Sequence, residues 1–436
     1  MVCVKFGGTS LADAAQFKKV KRIIESDPKR KFVVVSAPGK RFSGDIKITD
    51  MLEEVWKRAL RGGRIDLAMK PVTERFSEIA CKLKLEFDAD KEAEKIVSAL
   101  SVSPDRDYCM SRGEYLSGKL MSLYLDRPFV DPARHVFFDR DGSLDSKKTL
   151  KSLGRALSGL DGAVIPGFYG STPSGGIKTF SRGGSDITGA LVAAAVGAEL
   201  YENWTDVNGL LAADPRVVNK PETVRNLSYR ELRILSYMGA SVMHADAARP
   251  VREAGIPIRI LNTNCPEDEG TLIVPVSRLS ADRQAVTGVA GRKGLSVVQV
   301  EKQFVSDGAG FMATLLELFK ARRLPFEQCL NGIDTISIVI RSDLLKPRKR
   351  EILGDIRRVL APDILNVTEG LSMITVVGEN VPESENMTVR LLAAVGAQGI
   401  TISTINQGAG RLNLILGVHD DDYEKAIKAI YQTIRA

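Results

Sequence analysis

A lysine at position 5 is followed at once by Gly7-Gly8-Thr9-Ser10, and far along the chain Ser181-Arg182-Gly183-Gly184-Ser185-Asp186 runs straight into a stretch of small apolar residues. Glycine-rich turns present unhindered backbone amides, and the start of a helix attracts anions. A cation at a strand end facing such amides suits phosphate, so the chemistry these segments invite is phosphate binding and transfer. A lysine in a first strand can equally be a solvent-facing residue of the alternation; the adjacent double glycine favours the phosphate role. Polar groups gather again at Thr205 and Asp206, and Asp214-Pro215-Arg216 makes a turn.

These groups need elements to hold them. Val2-Cys3-Val4-Lys5-Phe6 reads as a short strand, followed by a helix to about Glu25 whose buried face is Leu11, Ala14, Phe17, Val20, Ile23 and Ile24, with Ser10 and Asp13 at capping-box spacing. Residues 32–35 form a second, continuously apolar strand ending at Ser36. Thr49 and Asp50, with Glu53 at capping spacing, open a helix to about Leu60, so Ser36 and Thr49 border one strand-to-helix crevice. Helical patterns fill 70–100, and Glu114 comes early in a further apolar helix, where it could simply favour the helix dipole. Residues 162–168 are another buried strand. Ser185 reads as the N-cap of a helix over 187–196 that Gly197 stops, and 199–204 as the strand that delivers Thr205 and Asp206. Strands alternating with helices imply a mostly parallel sheet sandwiched by helices, with ligands at the strands' C-terminal ends.

Composition narrows the class. The 436 residues suffice for about three domains, and 44% hydrophobic with 26% charged residues is ordinary for a globular protein. No run of 18 apolar residues and no signal-like opening is present, so the expectation is a soluble cytoplasmic protein. Five cysteines scattered singly, without metal-like spacing, read as reduced thiols, and three distant histidines give little support to a His-based metal site or a Ser-His triad. A net charge of +7 is small for this length, and the basic clusters at 18–22 and 346–350 read as solvated helix faces, which leaves no case for a nucleic-acid or membrane partner.

Composition shifts near 277–282, and beyond it a pattern repeats. Strand, helix, two strands, helix and strand over 295–369 make one βαββαβ unit. A second unit over 372–434 lacks its final strand, which 286–292 could supply. Two small ferredoxin-like units side by side are expected, the second discontinuous in sequence.

With those segments in place, Lys5-Phe-Gly-Gly-Thr-Ser10, Ser181-Arg-Gly-Gly-Ser-Asp186, Trp204-Thr-Asp-Val207 with Ala213-Asp-Pro-Arg216, and Gly239-Ala-Ser-Val-Met-His244 resemble the motifs of monofunctional aspartate kinases, within the amino-acid kinase fold. The C-terminal repeats resemble paired ACT domains, which bind free amino acids. The resemblance covers nearly the whole chain. It implies a kinase domain over 1–280, one ACT domain over 294–370, and a second made of 285–293 plus 371–436. It also implies phosphorylation of the L-aspartate β-carboxylate by ATP, with Mg²⁺ held mainly through the nucleotide phosphates and no dedicated metal-ligand set.

Residue by residue, the resemblance makes Lys5 and Asp186 catalytic. It puts Ser36, Thr49, Glu114, Arg182, Gly183, Gly184 and Ser185 on the aspartate, with Arg182 forked onto the α-carboxylate and Glu114 on the ammonium. Lys5, Gly7, Gly8, Thr9, Ser10, Thr205, Asp206, Leu211, Asp214, Arg216, Ser241 and Val242 line the nucleotide. Ser241 stands where relatives commonly carry lysine. Val305, Asp307, Gly310, Phe311, Met312 and Glu327 fall in the effector loop and on its facing strand, for lysine in the first instance and threonine in the second. A homodimer or homotetramer through the ACT domains is implied. The competing readings are another amino-acid kinase and a catalytically inactive amino-acid sensor of the same fold.

Overall fold

The computed structural model describes residues 1–239, 243, 245–279, 283–303, 308–379, 386–407 and 412–435. The chain forms two compact units, one of Met1–Leu210, Thr223–Ser236 and Ser241–Arg283, the other of Leu211–Glu222, Tyr237–Ala240 and Gln284–Ala436.

The first unit's strands are β1 (Val2–Phe6), β2 (Arg30–Val35), β3 (Ala163–Pro166), β4 (Tyr169–Ser171), β5 (Ile177–Thr179), β6 (Leu200–Thr205), β7 (Asn226–Ser228), β8 (Ile258–Asn262) and β9 (Thr271–Val274). Its helices are α1 (Ala14–Glu25), α2 (Ile48–Leu60), α3 (Ile65–Leu83), α4 (Ala89–Val102), α5 (Arg106–Leu125), α6 (Ser146–Leu157), α7 (Gly184–Ala195), α8 (Tyr229–Tyr237) and α9 (Arg249–Glu253). Seven strands form one sheet in the order β3-β2-β1-β6-β8-β9-β7. From β3 to β8 all neighbours run parallel, and β9 turns antiparallel to β8. β1 is buried along its whole length, as a strand covered on both faces must be.

Small residues set how closely α7 lies on this sheet. A Cβ added at Gly189 would stand 2.4 Å from the Tyr201 hydroxyl, which itself donates to the Asp186 carbonyl at 3.2 Å. The Leu-Val-Ala-Ala-Ala run therefore serves close helix–sheet contact.

Several local expectations need correction. α7 starts at Gly184, and its N-cap is Gly183 at φ 57° with no side-chain cap, so Ser185 is not the cap. Glycine takes the left-handed conformation at little cost, which lets the Ile187 N–H reach the Gly183 carbonyl and cap the helix two residues early. Ser10 lies in a 3-10 turn, and Asp13 alone caps α1 by accepting from the Gln16 N–H at 2.9 Å. α2 begins at Ile48 without a side-chain cap. The helical stretch over 70–100 is two helices, broken between Leu83 and Ala89. α5 begins at Arg106, which puts Glu114 in mid-helix, beyond the reach of the helix-end dipole.

The second unit carries β10 (Gly288–Glu301), β11 (Gln328–Asn331), β12 (Thr335–Arg341), β13 (Ile364–Val377), β14 (Thr404–Asn406) and β15 (Asn413–His419), with α10 (Gly308–Ala321), α11 (Ser342–Leu345), α12 (Lys349–Leu360), α13 (Met387–Gly396) and α14 (Tyr423–Arg435). Its strands make one antiparallel sheet, β11-β12-β10-β13-β15-β14. The expected strands at 286–292 and 295–302 are one strand, β10, interrupted where its register shifts at Leu295. Gly288–Arg292 pair with Met373–Val377 and Leu295–Glu301 with Ile364–Leu371, so β10 and β13 each serve two halves of the sheet. A separate apolar core lies in each half, one around Leu315, Phe319 and Ile352, the other around Leu391, Leu416 and Ile427.

Candidate active site

Lys5 is 8% exposed although charged. Its Nζ lies 2.6 Å from Asp186 Oδ1 and donates to Asn203 Oδ1 at 3.2 Å. Asn203 in turn donates through Nδ2 to the same Asp186 oxygen at 3.2 Å. The triangle follows from topology: β1 and β6 are parallel neighbours whose register sets Lys5 opposite Asn203, and α7 brings Asp186 in its first turn. Just past Lys5, the Gly7 amide donates to the Trp204 carbonyl and the Gly39 amide to the Gly8 carbonyl. A Cβ on Gly8 would stand 2.8 Å from the Ala37 carbonyl oxygen, so only glycine lets these loops meet. Ser10, in the turn Thr9–Leu11, shares a 2.8 Å hydroxyl contact with Thr263.

The other end of the crevice is built for a different charge. Glu114 is 5% exposed and meets no cation at salt-bridge distance among the described residues, and its Oε2 has no hydrogen-bond partner. Burial pushes its carboxyl up to about 8, against the opposing pull of the Ala37 N–H. Ser36 follows β2, its amide donating to the Phe6 carbonyl, and Thr49 is half-buried in the first turn of α2. The loop between them is clamped: Asp45 accepts from Arg41 Nε at 3.0 Å and from buried Arg75 at 3.1 Å. The Arg41 hydrogen bond holds Asp45's carboxyl well below the usual carboxylate range.

At the N-terminus of α7, Gly183 and Arg182 are exposed, while Gly184 and Ser185 are buried. No carboxylate pairs with Arg182 among the described residues, and the first-turn amides of α7 have no intrahelical acceptor. Ser185 packs on Gly167, where an added Cβ would stand 2.6 Å from its own Cβ. Phe168, at φ 81°, is held in a conformation unfavourable for a bulky residue, against Gly184 and with its N–H bonded to Thr188 Oγ1 at 3.1 Å.

The structure thus gathers Lys5, Gly7, Gly8, Ser36 and Asp186 near the C-terminal ends of β1, β2 and β6. Thr205 and Asp206 close β6, the Thr205 carbonyl accepting from the Thr263 amide. Leu211, Asp214 and Arg216 lie in the second unit, where Arg216 binds Asp214 at 2.6 Å. Ser241, Val242, Val305 and Asp307 lie outside the described residues. Gly310, Phe311 and Met312 are in the first two turns of α10, and Glu327 is ion-paired with Arg292 at 2.7 Å. Sequence reasoning passed over Asn203 and Phe168. Asn203 carried a faint signal, a polar residue between Tyr201 and Trp204 in a buried strand; Phe168 carried none.

A parallel sheet that gathers a buried cation, a glycine turn and a helix start at the C-terminal ends of its strands fits the class of α/β phosphate-handling enzymes. The amino acid kinase family profile matches residues 1–262 and an ACT domain profile matches 374–434. Aspartokinase 3 of Bacillus subtilis is 35% identical over 99% of this chain and 98% of its own length. The crystal structure of Clostridium acetobutylicum aspartate kinase superposes with a TM-score of 0.94 at 40% identity, covering 100% of both chains. Escherichia coli aspartokinase III, at 22% identity and a TM-score of 0.80 over 100% of both chains, shares the fold. The chain belongs to the amino acid kinase family, among its aspartokinases. No helix of the described residues is long and apolar enough to cross a membrane.

Proposed function

We propose that the chain transfers the γ-phosphoryl group of ATP to the β-carboxylate of L-aspartate, giving 4-phospho-L-aspartate and ADP at the entry to lysine, threonine and methionine synthesis. The observation that carries this reading is the buried Lys5 ammonium at a strand end beside the glycine-turn amides, held by Asp186 and Asn203. The aspartokinase relatives at 35% and 40% identity support it.

The chemistry asks little proton work of the protein. Aspartate's side chain, with an ordinary pKa near ~3.9, is already ionised, so its oxygen attacks the γ-phosphorus without a general base. The bridging P–O bond breaks and ADP leaves with the electron pair. Lys5 and the Gly8 and Thr9 amides hold the phosphates and oppose the charge that builds on the migrating group, while the Gly7 amide donates to the Trp204 carbonyl and the Ser10 amide to the Gly7 carbonyl to shape the turn. Arg182 takes the α-carboxylate as a bidentate fork and Glu114 the ammonium, with Ser36, Thr49 and the Gly183–Ser185 turn fixing the remainder. Alignment of the carboxylate with the phosphorus supplies much of the rate.

The described residues bring no three carboxylate, histidine or cysteine side chains together. An Mg²⁺ ion would be held mainly through the ATP phosphates, with Asp186 the acid that would add a ligand; when bound it neutralises phosphate charge. The second unit is proposed to bind a feedback amino acid through Gly310, Phe311 and Met312, with lysine preferred to threonine because Glu327 is acidic, and to join chains into a homodimer or homotetramer. The effector's ammonium would then share or replace the Arg292 contact. A cytoplasmic location suits a pathway enzyme of this kind.

The test is ADP release with aspartate, glutamate and N-acetylglutamate in turn. Turnover with aspartate alone is expected, and background rates with all three would refute the reading. Lysine should lower the aspartate rate; indifference to lysine, threonine and methionine would remove the regulatory part.

A further inference from the structure

Among the described residues six buried side-chain atoms lack a hydrogen-bond partner, and two of them, Glu114 Oε2 and Ser117 Oγ, stand three residues apart on α5. Residues i and i+3 share a helix face, and a helical side chain leans over the turn N-terminal to its own Cα, so the Ser117 hydroxyl is carried toward Glu114. Ser117 is 0% exposed. A hydroxyl inside a helix commonly bonds a carbonyl one turn back. Thr73, Ser101 and Thr188 do so in this unit, to Met69, Val97 and Gly184, and Ser117 does not.

The stretch of α5 that carries both groups is pinned by glycines at the crevice edge. A Cβ on Gly113 would stand 2.7 Å from that of Ala37, just past β2, and one on Gly118 would stand 2.6 Å from Pro166, the last residue of β3. The stretch of α5 that carries both orphaned groups is thus fixed against the C-terminal ends of two strands, where parallel sheets present ligands.

We infer that Ser117 is a substrate-positioning residue: its hydroxyl and the Glu114 carboxylate form one receptor for the ammonium group of the substrate amino acid. An ammonium offers three N–H donors. Glu114 accepts one with charge, and Ser117 Oγ accepts a second and fixes the nitrogen's position along the helix. The inference rests on the reading that Glu114 takes the ammonium. It adds that the carboxylate alone does not complete the site.

The full chain carrying Ser117→Ala tests it, with kcat, both KM values and Tm measured. The aspartate KM should rise about tenfold while kcat and the ATP KM stay within about twofold, the signature of lost uniform binding. Tm should hold or rise, because a buried hydroxyl without a protein partner is removed. Ser117→Cys, close in shape but a poor acceptor, should give an intermediate KM, and it decides the matter if the alanine variant fails to fold. An unchanged aspartate KM in the folded variant means the hydroxyl only fills space and overturns the inference. Glu114→Gln run alongside separates the two claims. If its aspartate KM rises while that of Ser117→Ala does not, Ser117 alone is misassigned; if neither rises, the Glu114 reading falls with it.

Discussion

Glu202 and Glu114 are buried to the same degree in the first unit, 4% and 5% exposed, yet the fold treats them in opposite ways. Glu202 accepts from Arg30 Nε and from the Trp204 indole N–H, each at 2.8 Å, and Arg30 also lies over the Trp204 ring. These partners come from neighbouring parts of the sheet, so this charge is satisfied whenever the strands are in register. Among the described residues Glu114 has no such cation, and one of its oxygens has no hydrogen-bond partner. A buried charge with its partner built in is scaffold; one without is waiting for a partner from outside. Lys5 at the phosphoryl end of the crevice is the exception: it is paired with Asp186 and yet stands beside the glycine turn, so its charge serves both the fold and the chemistry.

Substitutions can break or sharpen that contrast. The largest effect is expected from Lys5→Ala, which should lower kcat by a hundred- to a thousandfold, ~3–4 kcal/mol of barrier, with little change in the aspartate KM. Steady-state kinetics decide it, and an unchanged kcat would take Lys5 out of the mechanism. Next comes Glu202→Gln, which leaves the Arg30 guanidinium without its counter-charge and should cost ~2–3 kcal/mol of stability in urea titrations. Its aspartate KM should stay put, and a rise there would show that Glu202 is more than scaffold.

The smallest and most discriminating effect belongs to Glu114. Its folded pKa of about 8 lies above the ordinary 4.5. Below about pH 4.5 the carboxyl is protonated in folded and unfolded chains alike, so it weighs on neither. As pH rises toward 8 the unfolded chain ionises first, and stability is lost until the folded carboxyl also ionises. Glu114→Gln should remove that decline. Aspartate affinity should run the other way in the wild type, tightening by about fiftyfold from about pH 6 to pH 8 as the receptor becomes charged, and it should be flat in the glutamine variant.

Much of this crevice is written locally. Lys5 beside two glycines, and Asp186 after Arg182-Gly183-Gly184, declare themselves because a phosphate-binding turn needs those residues in immediate succession. Asn203 is different: its role comes from standing opposite Lys5 across a strand pair whose members are 198 positions apart, and only the assembled sheet creates that neighbour. The cap of α7 is obscured in the sequence for a related reason. Serine is a good N-cap by propensity, but Gly183 in its left-handed conformation starts the helix first and leaves Ser185 to pack on Gly167. Glu114 looked like an early helical acid because the apolar pattern begins late, after a polar first turn at Arg106 and Asp107 that Asp105 caps. In the second unit the order of strands and helices was legible, whereas the fusion of two expected strands into β10 depended on pairing with the full length of β13.

The central claim, that Glu114 is a protonated carboxyl before substrate binds and ionises to meet an ammonium, is tested most directly by counting protons. Calorimetric titration of aspartate into the enzyme at pH 7, in two buffers of different ionisation enthalpy, should report close to one proton released per aspartate bound, and none for Glu114→Gln. Binding without proton release in the wild type would mean that Glu114 is already ionised or never meets the substrate, and would contradict the account.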